Sequence, residues 1–409
     1  MSVETNRGVV IIGGGHAGGT AAALLRQFGY EAPITVIGEE PLVPYQRPPL
    51  SKAWLKGEAD GDSLALRPSE FYPEHNIDLR LGVVGTAIDR ATRTVSLSDG
   101  SALAYEHLIL ATGARARTLD APGADLPGVH VLRSAADAEA IKALLGPGRT
   151  LAVVGGGYVG LEVAASARAL GAEVVVLERE PRLLARVACE ALSSFFQTYH
   201  ETHGVRFELA ADVTGFSGDE GVTGVTLADG RTIACDTAVV GVGAIPNDAL
   251  AVAAGLDVEG GVLVDLEART SDPAIFAIGD LTRRPMPIYD RLFRMESVPN
   301  ALEQAKQAAS AIAGRPSPSG EVPWQWSDQY DLKLQIAGYP FDADRIVVRG
   351  DPATASFAVF HLSGDQVQAV EAINAPPEFM MGKKLIGDRR AVDVPKLADK
   401  AVSMKEVGL

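Results

Sequence analysis

The strongest constraint on what this chain can fold into is a glycine pattern that occurs twice. The segment "VVIIGGGHAGGTAAALL" returns 142 positions later as "LAVVGGGYVGLEVAASA", so Gly13, Gly15 and Gly18 are answered by Gly155, Gly157 and Gly160. Each copy follows an apolar, strand-like run and opens a helical stretch, the context in which this spacing has a physical meaning. The correspondence continues downstream. An Asp-Gly hairpin signal at Asp99-Gly100 recurs at Asp229-Gly230, and the strand "LILATGA", with Ala111, Thr112 and Gly113, is answered by "AVVGVGA", which reaches Gly243. Both of these offsets are 130 positions. Two related units, each a glycine-opened βαβ piece followed by a hairpin and another strand, are the simplest reading.

In such a turn the first glycine bends the chain, the second lets a pyrophosphate approach the backbone, and the third allows close helix packing. The phosphates then lie at a helix N-terminus. An acidic residue closing the next strand completes the logic by accepting from ribose hydroxyls. "ITVIGEE" supplies Glu39 and "EVVVLERE" supplies Glu178. Glu178 repels a 2'-phosphate, which favours NADH over NADPH, although Arg179, Arg182 and Arg186 lie close by in sequence. Two dinucleotide sites in one chain suggest one permanent cofactor and one diffusing substrate.

The rest of the chain limits the alternatives. At 409 residues it is long enough for two or three domains. A net charge of -15 disfavours nucleic acid as a partner. The two cysteines, Cys189 and Cys235, form no C-x-x-C, which points away from a disulfide framework or a metal site and fits a reducing, cytoplasmic compartment. No segment reads as a signal peptide or a membrane span. After "GLDVEGGVLVDLEARTSDPAIFAIGD" comes a helical pattern from Val298 to Ala313, then the Gly/Pro/Ser break "GRPSPSG". Beyond it, "WQWSDQYDLKLQIAGY" and "ASFAVFHLSGDQVQAVEAI" alternate as antiparallel strands of a small α+β domain.

The first glycine motif with "TSDPAIFAIGD" and "LILATGA" resembles the fingerprints of two-dinucleotide-domain flavoproteins. That likeness assigns FAD to the N-terminal site and NADH to the second. It implies an α/β, glutathione-reductase-like fold of two Rossmann-like domains with a small C-terminal α+β domain. The expected boundaries are 1–115 and 246–320 for the FAD-binding domain, 116–245 for the NAD-binding domain and 321–409 for the C-terminal domain. The loop "VPYQRPPLSKAWL" has no cysteine, which argues against disulfide or sulfenic chemistry.

That loop, with "MESVPNALEQAK" and "WSDQYDLKLQIAGY", resembles the putidaredoxin reductase-like family of NADH-dependent reductases that serve two-iron ferredoxins. The resemblance implies hydride transfer from NADH to FAD, then single electrons to a ferredoxin feeding a haem-thiolate monooxygenase or ring-hydroxylating dioxygenase. It places Lys52 near flavin N5, paired with Glu162, and Asp280 on the ribityl and pyrophosphate part of FAD. It puts His16 and Ala17 at the pyrophosphate turn, Arg47 and Pro48 near the flavin, and Val84 and Arg133 near the adenosine end. Val298 falls against the pyrimidine edge and Trp326 near the exposed side of the ring, while Tyr158, Val159 and Gly243 belong to the NAD site. Lys306 and Lys383 are the implied ferredoxin-docking positions on a locally basic face, and a monomer is favoured. The alternatives are a rubredoxin reductase, an apoptosis-inducing-factor-like redox-sensing flavoprotein, and a membrane quinone reductase, the last disfavoured by a C-terminus with little apolar face.

Overall fold

A computed structural model of the chain describes residues 3–409. It contains two compact units. The first comprises the residues up to Arg47, Gly61–Arg115 and Ile245–Gln325; the second comprises Pro48–Asp60, Ala116–Ala244 and Trp326–Leu409.

The sheet of the first unit is built on the apolar run that precedes the first glycine turn. Val9, Val10, Ile11 and Ile12 are all buried, without the exposed alternate residue of a half-solvated strand. Their side chains alternate between two cores. Val9 and Ile11 join Ala21, Leu25, Ala305 and Ala308, and Val10 and Ile12 join Leu103, Leu108, Ile275 and Leu281. The strands run in the order Ile77–Leu81, Ile34–Gly38, Val3–Ile12, Ala102–Leu110, all parallel, and an antiparallel pair, Thr94–Leu97 and Gly85–Asp89, extends the sheet. Ile275–Ala277 also pairs in parallel with Ala102–Leu110. Small residues on the helices His16–Gln27 and Val298–Ile312 let both enter one core.

The second unit repeats the arrangement. Its parallel strands follow the order Val205–Leu209, Glu173–Glu178, Thr150–Val154, Thr237–Val240, so third, second, first and fourth strands are adjacent in both units; Val129–Val131 is added at the edge. The Asp-Gly signals are hairpin turns in both. Gly100 and Gly230 have φ of 85° and 86°, and the carboxylates of Asp99 and Asp229 accept from the backbone N–H two residues on, at 2.9 and 3.0 Å.

The C-terminal stretch is an antiparallel sheet in the order Trp324–Gln329, Leu332–Gly338, Gln366–Ile373, Ser356–Ser363, Arg345–Asp351, with the helix Pro376–Asp388 following it. Its inner residues Leu334, Phe357, Val359 and Ile373 share one core with Leu55, Leu161, Val163 and Phe196. Among the described residues no helix is long and apolar enough to cross a membrane.

Candidate functional site

In the first glycine turn, Gly13 has φ of +119°, and a Cβ there would lie 2.1 Å from the carbonyl oxygen of Ala111. A Cβ on Gly18 would lie 2.0 Å from the carbonyl oxygen of Gly13. The polypeptide itself therefore requires these two glycines. Gly15, which caps the helix His16–Gln27 without a side-chain hydrogen bond, is different, because a Cβ there would meet nothing within 4 Å. Open space in front of unsatisfied N–H groups fits an anionic group such as a pyrophosphate.

Around this turn the fold gathers several of the expected residues. Burial and the Arg47 guanidinium push the His16 imidazole down to about 4, against an opposing pull from Asp280, so His16 is neutral at physiological pH. A Cβ on Gly279 would lie 3.3 Å from that of Ala17, which brings the turn carrying Asp280 onto the first turn of the helix. Arg47 donates to Glu40 at 2.6 Å and to Tyr45 at 3.1 Å, and the Tyr45 hydroxyl donates to Glu40 at 2.7 Å. Glu39 is exposed at the end of its strand, and a Cβ on Gly14 would lie 3.5 Å from the Cα of neighbouring Gly38. Thr112 and Gly113 are fastened to Asn247, a residue the sequence reading did not single out. The Thr112 hydroxyl donates to the Asn247 carbonyl at 2.7 Å, Asn247 Nδ2 donates to the Thr112 carbonyl at 2.9 Å, and its backbone N–H donates to Gly113. Val298 begins the helix capped by Ser297, and Val84 is 40 % exposed beside the strand Gly85–Asp89. Pro48, Arg133 and Trp326 belong to the second unit; the Arg133 N–H donates to Asp137 at 3.0 Å.

The second glycine turn divides its labour in the same way. A Cβ on Gly155 or Gly160 would lie 2.5 or 2.2 Å from a backbone carbonyl oxygen, whereas one on Gly157 would meet nothing within 4 Å. Glu178 braces this turn, since its Oε2 accepts from the Gly156 N–H at 2.6 Å while Oε1 accepts from the Glu180 N–H at 2.9 Å. Of the nearby arginines, Arg182 is committed to the Ala185 and Ala188 carbonyls and the Ser193 hydroxyl, whereas Arg179 and Arg186 are exposed. The Tyr158 hydroxyl donates to the Val187 carbonyl at 3.3 Å, Val159 is half exposed, and Gly243 has φ of +111° with open space beside it.

Lys52 and Glu162 meet. Lys52 Nζ lies 2.7 Å from Glu162 Oε2, with Glu162 almost wholly buried on the helix Tyr158–Ala169. Lys52 Nζ also donates to the Pro48 carbonyl at 3.2 Å. Three further side chains join them that sequence reasoning missed. Ser51 donates to Glu162 Oε2 at 2.6 Å, Ser327 donates to Oε1 at 2.6 Å, and Gln329 Nε2 donates to Ser327 at 3.0 Å. Ser327 and Gln329 are polar residues at alternate, inward-facing positions of an apolar sheet, and that pattern is the signal that could have found them.

Residues 7–305 match the family described as pyridine nucleotide-disulphide oxidoreductase, and residues 324–408 match one described as reductase C-terminal. The chain belongs to the pyridine nucleotide-disulphide oxidoreductase family. This family uses FAD with NAD(P)H. The oxidoreductase is 50 % identical to the probable ferredoxin reductase CtmF of Castellaniella defragrans, over 98 % of this chain and 99 % of the relative. It is 42 % identical to putidaredoxin reductase CamA of Pseudomonas putida, over 99 % and 97 %. The solved covalent putidaredoxin reductase–putidaredoxin complex superposes with a TM-score of 0.95 at 42 % identity, covering 98 % of both chains. The resemblance drawn from the sequence, its flavin and nicotinamide cofactors and its fold class are thereby borne out.

Unlike the family's disulphide-reducing members, this oxidoreductase has no thiol in the loop before Lys52. Its two cysteines are buried and free, and burial pushes the thiols up to about 12 at Cys189 and about 11 at Cys235, so both stay protonated. Cys189 gathers with His361 and Glu371 in a buried trio, where His361 Nε2 lies 2.9 Å from Glu371. In the basic stretch after Asp280, Arg284 is 4 % exposed and paired with Glu303 at 3.1 Å, and Arg283 and Arg294 are paired with Glu259 and Glu296. Lys306 is exposed in the first unit and Lys383 partly buried in the second.

Proposed function

We propose that this oxidoreductase is an FAD-dependent NADH:ferredoxin reductase that passes electrons to a two-iron ferredoxin of an oxygenase system, in the cytoplasm. The observation that carries the reading is the end-to-end similarity to ferredoxin reductases and to a reductase solved with its redox partner. The missing loop thiol supports it, because electrons from the flavin then need an acceptor outside the chain.

Bound FAD would supply a carrier that takes two electrons as hydride and gives them up singly. Gly13, Gly15, His16, Ala17 and Gly18 would hold its pyrophosphate, with Glu39 and Val84 toward the adenosine. Asp280, Arg47, Pro48, Ala111, Thr112, Gly113, Val298 and Trp326 would line the rest, and Arg133 would reach the adenosine end. Gly155, Gly157, Tyr158, Val159, Gly160, Glu178 and Gly243 would hold NADH, and Lys52, oriented by Glu162, would face the flavin. The chain's work is to hold the two rings at near-attack distance and to set the local charge.

Stopped-flow mixing of the FAD-loaded protein with NADH, followed by a panel of two-iron ferredoxins and rubredoxins, tests this. The expected result is rapid flavin bleaching by NADH and preferential reduction of a two-iron ferredoxin. Preference for a rubredoxin would favour the alternative acceptor, and absence of bleaching would overturn the reading.

A further inference from the structure

We infer that Ser327, Gln329 and His200 form a hydrogen-bond chain of fixed proton order that holds the Glu162 carboxyl as a pure acceptor, making all three positioning residues for the Lys52–Glu162 pair. The inference deepens the proposed function and rests on its reading that this pair serves the flavin.

The proton order follows from the chemistry of each atom. Glu162 Oε2 accepts from the Lys52 ammonium and the Ser51 hydroxyl, and Oε1 accepts the single proton of Ser327 at 2.6 Å. With its proton spent, Ser327 can only accept from Gln329, so the amide nitrogen lies on that side at 3.0 Å. The Gln329 oxygen therefore faces His200, and at 2.7 Å it requires a proton on Nε2. That leaves Nδ1 of His200 as the bare nitrogen, buried and with no hydrogen-bond partner among the described residues.

Nothing terminates the chain in the opposite order. A Glu162 protonated on Oε1 would donate to Ser327, Ser327 to a flipped Gln329, and Gln329 to His200 Nε2, which forces the imidazole proton onto Nδ1. A buried N–H would then have no acceptor, and leaving a buried donor unmade is costly. His200 thus acts as a stop against protonation of Glu162 on Oε1, three hydrogen bonds away. The surroundings of both ends agree. Lys52 is the charge facing Glu162, and around His200 lie His203, just past the end of the helix Glu190–Thr202, and the Tyr330 ring at 5.0 Å, neither of which offers an anion. The imidazole is correspondingly pushed down to about 4, mainly by burial.

The test uses the FAD-loaded protein and the variants Ser327→Ala, Ser327→Thr and Gln329→Leu, with Lys52→Met and Glu162→Gln as references. Flavin reduction by NADH is followed by stopped flow across about pH 6 to pH 8, and carboxyl protonation by infrared difference titration, with Glu162→Gln assigning the band. The expected rate in Ser327→Ala is about three- to tenfold below the parent's across this range, the scale of one lost hydrogen bond to a charged group. The Glu162 carbonyl band should emerge at higher pH in Ser327→Ala and Gln329→Leu than in the parent, and Ser327→Thr should restore the parent's behaviour in both measurements. If Ser327→Ala and Gln329→Leu keep the parent's rate and band while Glu162→Gln alters flavin reduction, the chain has no positioning role and the inference fails alone. If Lys52→Met and Glu162→Gln leave flavin reduction unchanged, the pair does not serve the flavin and both readings are overturned.

Discussion

Glu178 has two partners to satisfy with one carboxylate. Its Oε2 already accepts from Gly156 inside the glycine turn, so it shapes the turn as well as offering an acceptor for a ribose hydroxyl. Glu178→Ala should therefore weaken NADH use by about 1–3 kcal/mol in kcat/KM, the scale of a charged hydrogen bond. It should also improve NADPH use relative to NADH, since exposed Arg179 and Arg186 remain to meet a 2'-phosphate. Steady-state kcat/KM with both dinucleotides checks this, and equal parent efficiency with NADPH would refute the assignment. A second prediction concerns His200, whose folded value of about 4 lies below the ordinary 6.5. The unfolded chain then binds the proton first, so the stability gained from the neutral form is complete above pH 6.5 and is lost as pH falls toward 4. Urea unfolding should find the parent losing roughly 2–3 kcal/mol from this group over that window, and His200→Phe losing correspondingly less. The two residues differ in how they could be found. Glu178 is legible because its partner Gly156 is 22 positions away within one local motif, whereas Ser327 meets Glu162 across 165 positions and His200 meets Gln329 across 129. No spacing rule connects side chains so distant, and only the folded sheet brings them to one buried line.

The two glycine turns separate what the fold needs from what a ligand needs. In the turn before the helix Tyr158–Ala169, Gly160→Ala would drive a methyl to 2.2 Å from the Gly155 carbonyl oxygen, while Gly157→Ala would place one in open space. Gly160→Ala should cost about 1–3 kcal/mol in stability through overpacking. Gly157→Ala should leave Tm nearly unchanged and raise KM for NADH, because its methyl fills room meant for the pyrophosphate. Thermal unfolding together with NADH kinetics distinguishes the two; a Gly157→Ala variant with normal KM would mean the dinucleotide does not cross that turn. The same local rules made most of this architecture readable in advance. Strand-turn-helix glycines, Asp-Gly hairpins and the doubled order of motifs are short-range features, and the structure realises each as the same third-second-first-fourth strand order. The core that the C-terminal strands share with the helices Tyr158–Ala169 and Glu190–Thr202 was not readable, because Phe357 packing on Phe195 of the latter at 5.0 Å depends on side-chain complementarity rather than on pattern.

At the scale of the whole molecule the question is how a chain of net charge -15 would meet a ferredoxin, which the family resemblance implies is acidic as well. Overall repulsion must be overcome by a local basic surface, and such a surface acts chiefly on the association rate. Several candidate cations are already spent: Arg284 is buried against Glu303, Arg283 is paired with Glu259, and Arg390 is bound to the Leu409 carbonyl. Lys306, exposed on the helix Val298–Ile312, and Lys383, on the helix Pro376–Asp388, are the positions that the family resemblance implies for docking. Hydride transfer from NADH does not involve the ferredoxin, so the two half-reactions should respond differently to salt. Raising ionic strength from about 0.05 to 0.5 M shortens the screening length severalfold and should slow ferredoxin reduction about tenfold or more, with flavin bleaching by NADH changed less than about twofold. Lys306→Glu and Lys383→Glu should each lower the second-order rate about three- to tenfold at low salt, and the difference from the parent should shrink as salt is added. Stopped flow with separate NADH and ferredoxin mixes measures both steps on the same protein. Indifference of ferredoxin reduction to salt and to both reversals would exclude the basic surface, and docking through apolar contact near Trp326 would then be the arrangement to test.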